Sequence, residues 1–315
     1  MKLRVLSLFS GIGAFEKALT NIGIDYELIG FSEIDKYAVK SYCAIHNIDE
    51  ALNLGDITKI DISKLPSDID LITHGSPCQD YSIAGKQGGG DKGSNTRSSL
   101  MWNTVEIVKH CKPKYVIWEN VKNVLSKKHK HNFDKYINDL NDLGYTSYYK
   151  VLNSKDYGVP QNRERIYCIS ILGEHKPYEF PEPIKLDKCI KDILEDDVDN
   201  KYYINKPFHL VDKGHQAELD IKGMDSIKRV YGVDKVAPTL TTMGGGLREP
   251  KILINYRVRK LTPKECWRLQ SFSDKDIDKC INIGISDSQL YKQAGNSITV
   301  KVLEEIFRSL FGIIY

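Results

Sequence analysis

The first half of this chain alternates short apolar runs with amphipathic patterns of helical period, and that alternation leaves few folds open to it. LRVLSLF, YELIGF and DIDLITH have the length of strands, whereas FEKALTNI and KYAVKSYCAI between them repeat their apolar residues at helical spacing. Strands that take turns with helices argue for an α/β fold with a mostly parallel sheet. The pattern continues through Met101, Val105 and Val108, the strand YVIW at 115–118, and a helix face of Phe133, Ile137 and Leu140. TSYYKVL and RIYCISIL extend the sheet. The regularity stops at HKPYEFPEPIKL, where Pro177, Pro181 and Pro183 cluster.

Beyond that break the chain turns polar, rich in Lys and Asp, and TLTTMGGGLREP reads as short strands and turns. Residues 182–262 are therefore expected to form a second, smaller module of irregular or β character. A helix follows over TPKECWRLQSF, with Thr262 as N-cap, Pro263 at the first helical position and Glu265 closing a capping box. The stretch 263–289 is expected to be a hinge region. A last helix from Ile298 to Leu310 would pack back on the first domain, which then comprises 1–181 and 290–315.

Composition narrows the function classes. A chain of 315 residues, 41% hydrophobic and 28% charged, has material for a sizeable core. Its net charge of +3 permits a polyanionic partner without requiring one. The seven cysteines are scattered and never spaced as a two-residue-gap pair, so neither a disulfide framework nor a metal site is expected, and a reducing cytosol fits best. No leader pattern and no apolar run of about 18 residues is present, as expected of a cytoplasmic protein with no membrane partner.

LFSGIGAFEKAL follows a strand and opens a helix, the context in which Gly11 and Gly13 let a backbone approach a ligand. A bare tight turn fits the same pair. Glu33, roughly twenty residues on at the end of the second strand, suits a carboxylate that bonds ribose hydroxyls. Asp56 in LGDIT suits either such a site or a turn and helix cap. Where a dinucleotide fingerprint has its third glycine stands Glu16, which would aim an anion at a pyrophosphate. A ligand with a ribose and no phosphate fits better, and S-adenosylmethionine is one.

GSPCQDYS follows the strand DIDLITH, so Cys78 falls past a strand's C-terminal end, where open α/β sheets bind ligands. The other six cysteines read as small buried hydrophobes.

With these stretches together, the sequence resembles the DNA (cytosine-5) methyltransferases of bacterial and phage restriction-modification type, over nearly its whole length. The shared motifs, in the family's order, are LFSGIG, SEID, GDI, GSPCQDYSIAGKQ, ENV (119–121), QNRERIY (161–167), RKLTPKECWRLQSF (259–272) and QAGNS (293–297). The resemblance implies a Rossmann-like, S-adenosylmethionine-dependent catalytic domain with a smaller target-recognition domain, acting on double-stranded DNA as a monomer in the cytoplasm of a bacterium or phage-infected cell. S-adenosylhomocysteine would be the product, and a cognate restriction endonuclease a partner in the same system.

It also implies residue roles. Cys78 would add to cytosine C6, making an enamine whose C5 attacks the methyl sulfonium. Glu119 would protonate N3, and Arg163 and Arg165 would line the pocket, the second at O2. Phe9, Gly11, Ile12, Gly13, Glu33, Ile34, Asp56, Ile57, Pro77 and Asn296 would hold the cofactor. Ser82, Lys86 and Arg97, with Gly85 and Gly88 to Gly90, would belong to a loop closing behind a flipped base. Thr239 would meet a phosphate near that base, and Arg229 and Arg248 are candidates for guanine contacts. Ser7, Ala14 and Ile34 depart from the residues usual in the family, which bears on cofactor affinity rather than on catalysis.

Two other readings remain at the level of sequence: a cytosine-5 methyltransferase acting on RNA, and a silent DNA-binding protein on the same scaffold. The long segment between QNRERIY and RKLTP favours duplex DNA over RNA, and intact Cys78, Glu119 and Arg165 count against silence. A nicotinamide-dependent oxidoreductase fails on the glycine pattern.

Overall fold

A computed structural model describes residues 2–77, 81, 88–94 and 96–313. The chain divides into two compact units. The first takes in Met1–Leu152, Glu164–Pro181 and Leu303–Tyr315, and the second Asn153–Arg163 and Glu182–Val302.

In the first unit the elements run β1 (Leu3–Leu8), α1 (Ala14–Asn21), β2 (Tyr26–Ser32), α2 (Lys36–His46), β3 (Leu71–His74), α3 (Met101–Cys111), β4 (Tyr115–Val121), α4 (Lys130–Asp142), β5 (Tyr145–Asn153) and β6 (Glu164–Leu172). They build one sheet in the order β2-β1-β3-β4-β6-β5. The pairs β1–β2, β1–β3 and β3–β4 are parallel, as the strand-helix alternation predicts. Strand β6 runs antiparallel to β4 along its length, from Tyr115 opposite Ile171 to Val121 opposite Arg165. Apolar runs carry no direction, so the sequence pattern alone cannot distinguish these two cases. Leu6, Leu8, Ile72, Val116 and Trp118 of the sheet pack with Trp102, Val105 and Val108 of α3 and Phe133, Tyr136 and Leu140 of α4 in one core. Val105, Val108, Phe133 and Leu140 are positions expected from the sequence, and Met101 joins the same core, but Ile137 is only partly buried against it, and Trp102 and Tyr136 were not anticipated.

The second unit holds a five-stranded sheet of short strands: β7 (Phe208–Leu210), β8 (Ala217–Leu219), β9 (Arg229–Gly232), β10 (Lys251–Ile254) and β11 (Arg257–Lys260), with the one-turn helix α5 (Asp225–Lys228) leading into β9. Ala217, Leu219, Val230 and Val258 form its small core. Helices α6 (Pro263–Arg268), α7 (Asp274–Asn282) and α8 (Asp287–Asn296) follow. The capping box of α6 is present in both directions: Glu265 N–H donates to Thr262 Oγ1 at 3.2 Å, and Thr262 N–H to Glu265 Oε2 at 2.8 Å. The helix is shorter than the sequence suggests. Ser271 takes a left-handed φ of 64° and breaks the run, after which Ser273 caps α7.

Helix α9 (Val300–Phe311) closes the chain, and its residues from Leu303 onward belong to the first unit. There Phe307 meets Phe15 edge-on at 6.5 Å, and Glu304 accepts from Asn21 at 2.6 Å.

Within the second unit α8 lies directly on the backbone of the loop before β10. A Cβ built on Gly295 would stand 1.9 Å from Thr241 O and 2.3 Å from Thr241 C. Backbone cannot swing aside as a side-chain tip can, so Gly295→Ala is expected to destabilise the protein by about 3 kcal/mol, the upper part of the overpacking range. Denaturant unfolding measures this, and a change near zero would show that the loop yields.

Candidate active site

The turn after β1 is built from left-handed residues: Phe9 has φ 52°, Gly11 57° and Gly13 80°. Gly13 caps α1, and a Cβ there would come within 2.1 Å of His46 Nε2 and 2.9 Å of the Tyr42 ring, so only glycine lets α1 start this close to α2. Phe9 shows the same sign of φ without a glycine's freedom, a local strain of the kind found at ligand-binding turns.

Glu33 ties this turn to the end of β2. Its Oε2 accepts from Gly11 N–H at 2.9 Å, and its Oε1 accepts from Ile34 and Asp35 N–H, each at 2.8 Å. Burial pushes its carboxyl above the usual range, and these amides offset part of that. A carboxylate has about four acceptor sites, so the three amides leave one open. Among the described residues, a Cβ built on Gly11 would meet nothing within 4 Å.

The other residues assigned to the cofactor divide into two kinds. Ile12 and Ile57 are 3% and 5% exposed and turn their side chains into the core, and the Ile12 carbonyl is bonded to His46 Nε2 at 3.1 Å. Ile34 stands 76% exposed. Asp56 caps a short helical turn, accepting from Thr58 N–H at 3.0 Å and Oγ1 at 2.8 Å, and those bonds hold its carboxyl below the usual range. This is the cap that the sequence left as an alternative. Asn296 is exposed at the end of α8, in the second unit.

Glu16 corrects one step of the sequence argument. It does not aim an anion at a ligand, because its side chain is buried in the first unit at 1% exposure. Desolvation there drives its carboxyl toward the protonated form, against weaker help from Ser7 and Tyr42. The case against a pyrophosphate therefore rests on the missing third glycine alone.

The segment that leads into Cys78 is fixed from β4. Trp118 Nε1 donates to Ser76 Oγ at 2.9 Å, and Asn120 Nδ2 donates to Ser76 O at 3.1 Å and Oγ at 3.3 Å. Pro77 O accepts from Ser98 Oγ at 2.9 Å. Between Trp118 and Asn120, on the opposite side of the strand, is Glu119, 8% exposed, with Arg165 Nε 3.1 Å from its Oε1. Arg165 lies directly across from Val121 on β6. One strand thus carries the carboxyl and anchors the turn before the thiol. Tyr81, fully buried, accepts on its carbonyl from Asn123 Nδ2 at 2.5 Å and donates its hydroxyl to Met101 Sδ at 3.6 Å. Cys78, Ser82, Gly85 and Lys86 lie outside the described residues.

His74, at the end of β3, is fully buried against Trp118 and bonded to Tyr136 Oη at 2.9 Å, and burial pushes it down to about 3. It stays neutral and belongs to the core.

Arg163 and Arg165 go separate ways. Arg163, 3% exposed, donates to Leu240 O at 3.0 Å, Gly295 O at 3.1 Å and Ser297 O at 2.7 Å, all within the second unit. It holds the Thr239–Leu240 segment to the end of α8. Alternation along an extended stretch predicts a shared direction, but β6 begins only at Glu164, so Arg163 falls before the pleat starts. Thr239 is exposed and donates to Asn162 O at 2.5 Å. Arg97 and Arg248 are exposed. Arg229 is paired with Asp225, Nη2 to Oδ2 at 2.5 Å. Sequence reasoning missed Ser76, Trp118 and Asp225; the first two stand inside or beside the motifs GSPC and ENV, which was the only signal available.

The family profile described as "C-5 cytosine-specific DNA methylase" matches residues 3–312. The chain belongs to that family. Among its relatives, the orphan methyltransferase M.SPBetaI of Bacillus phage SPbeta is 39% identical, with 98% of this chain and 97% of that protein covered. The type II methyltransferase M.HhaI of Haemophilus parahaemolyticus is 36% identical, over 96% and 93%. The fold is also that of the Dnmt2 methyltransferase of S. pombe, with a TM-score of 0.75 over 99% of each chain at 21% identity. The alignment to the SPbeta relative spans 432 positions, more than this chain has residues, whereas that to M.HhaI spans 317. This DNA (cytosine-5) methyltransferase is thus a compact member of its family, and the oxidoreductase and silent-scaffold readings fall away. The sheet is that of an S-adenosylmethionine-dependent methyltransferase. Among the described residues no helix is long and apolar enough to cross a membrane.

Proposed function

We propose that the enzyme methylates C5 of a flipped-out cytosine at a specific short sequence in duplex DNA, through a covalent bond between Cys78 and C6. The observation that supports this best is the double use of β4, which carries Glu119 and, through Trp118 and Asn120, fixes the turn leading into Cys78. In this reading the Cys78 thiolate adds to C6 while Glu119 gives a proton to N3, and C5 becomes the nucleophile. Arg165 orients the Glu119 carboxyl and reaches O2. Once C5 carries the methyl group, its proton passes to water, the N3 proton returns to Glu119, and the Cys78 thiolate departs as the ring regains its aromaticity. Arg163 acts from a distance, as the clamp on the Thr239 segment.

S-adenosylmethionine, when bound, supplies the methyl group on a sulfonium. The residues present fit it: Glu33 keeps an acceptor site for a ribose hydroxyl, and no described residue comes within 4 Å of a Cβ built on Gly11. Ser82, Lys86 and Arg97 are assigned to the loop behind the flipped base, and Pro77 and Asn296 to the cofactor. The enzyme is proposed to work as a monomer in the cytoplasm of a bacterium or phage-infected cell, with a cognate endonuclease as the partner to seek.

Glu119→Gln keeps the shape and removes the proton donor. Single-turnover transfer of labelled methyl groups to duplex DNA is expected to fall by about 10²- to 10⁴-fold. A rate within a few-fold of wild type would remove Glu119 from the mechanism.

A further inference from the structure

The second unit contains a cleft of about 430 Å³ lined by Lys213, His215, Glu218, Asp225, Arg229 and Tyr231. It lies on the face of the sheet opposite the unit's core. Along β8, Ala217 and Leu219 point into that core and Glu218 points away; along β9, Val230 points in while Arg229 and Tyr231 point away. Glu218 and Arg229 are direct cross-strand partners, so their side chains leave the sheet side by side, about 5 Å apart at the Cβ atoms.

These neighbours do not neutralise each other. Asp225 holds Arg229 from behind, its Oδ2 accepting from Nε at 3.0 Å and from Nη2 at 2.5 Å. Tyr231, two residues on along β9, is a further hydrogen-bond partner of Arg229, so a ligand would share the guanidinium with both side chains. Glu218 is held from its other side: His215 Nε2 lies 3.0 Å from Glu218 Oε1, His215 Nδ1 lies 3.1 Å from Lys213 O, and Lys213 Nζ stands 3.8 Å from the same Glu218 oxygen. The His215 side chain is 7% exposed and that of Glu218 14%, whereas Arg229 is 43% exposed. A guanidinium and a carboxylate are thus each oriented by a separate partner and presented together.

The major-groove edge of a G·C pair is the complement of this arrangement. Guanine offers the acceptors O6 and N7, and the cytosine beside it offers the N4 amino donor. β8 and β9 are inner strands of the five-stranded sheet, so it is the Arg229 and Glu218 side chains standing off its face, rather than the strands themselves, that would enter the major groove. We propose that Arg229 and Glu218 read one G·C pair of the recognition sequence, Arg229 at the guanine and Glu218 at the cytosine amino group, with Asp225 and His215 as positioning residues. This rests on the proposed action at a specific sequence in duplex DNA. It goes beyond that reading in naming the pair, the strands and the base pair read.

The test uses full-length wild type, Arg229→Ala, Arg229→Lys, Glu218→Gln and Asp225→Asn on a library of randomised duplexes, with methylated cytosines mapped by sequencing. Wild type should give one motif. Arg229→Ala should lose discrimination at a single G·C position by on the order of 10- to 100-fold. Glu218→Gln should lose it at that same position, Asp225→Asn should do so more weakly, and Arg229→Lys should restore part of it. Thermal unfolding checks that each variant is folded, and the isosteric Glu218→Gln keeps the test decisive where Arg229→Ala is not. An unchanged motif with a uniformly higher KM and a shallower salt dependence would make Arg229 a phosphate contact and overturn the proposal. So would Glu218→Gln and Arg229→Ala acting at different positions. Wild type that methylates no duplex in the library would instead sink the proposed function, and the base-pair reading with it.

Discussion

Cys78→Ser is expected to abolish methyl transfer, by about 10⁴-fold or more, the scale on which enzymes lose rate when a covalent nucleophile is removed. A hydroxyl in place of the thiol is of similar size, but it ionises far less readily and adds poorly to C6. The loss alone does not separate a chemical role from a structural one. The decisive experiment is incubation with S-adenosylmethionine and duplex DNA containing 5-fluorocytosine. Fluorine at C5 cannot leave as a proton does, so an enzyme that has formed the bond to C6 stalls as a denaturation-resistant adduct. Wild type should give the adduct only with the methyl donor present, and Cys78→Ser should give none. An adduct that survives the substitution would move the nucleophile elsewhere. No adduct on duplex DNA, with one on structured RNA, would argue that the substrate is RNA.

The sequence carried the chemistry of the site further than its geometry. Cys78 stands out in the sequence because GSPC follows an apolar strand, whereas the roles proposed for Glu119 and Arg165 came only with the family resemblance; the ion pair between those two is what the structure adds. The bonds of Trp118 and Asn120 to Ser76 were not legible, because they join two strands that are distant in sequence. Helix α6 was read from Thr262, Pro263 and Glu265, whose signals are local, whereas its early end depends on the left-handed Ser271, which no turn residue announces. The strands of the second unit, three or four residues each, are too short to show a period. Glu16 was misjudged for a related reason: a charged side chain is normally solvated, and only the packing around α1 shows that this one is not.

Glu265 offers the largest expected loss of stability, and it explains why RKLTPKECWRLQSF holds together as a unit. Its carboxylate is fully buried, and Arg259, 2% exposed at the side chain, meets it with two bonds, Nη1 to Oε2 at 2.8 Å and Nη2 to Oε1 at 2.7 Å. The same two oxygens accept from Thr262 N–H at 2.8 Å and Glu195 N–H at 3.0 Å, so all four acceptor sites are filled. A single residue therefore joins β11, the cap of α6 and the segment before β7. Glu265→Ala would leave the Arg259 guanidinium buried without a counter-charge and is expected to cost about 3–5 kcal/mol, read as a lower denaturant midpoint. That cost comes from the charge left behind rather than from the net worth of the pair. The double variant Arg259→Met with Glu265→Leu removes both charges and keeps most of the volume, so it should recover most of the loss. Recovery would show that the pair serves the geometry of the motif more than its stability. A double variant as unstable as Glu265→Ala would assign the loss to the bonds with Thr262 and Glu195 instead, because those are the contacts that neither variant retains.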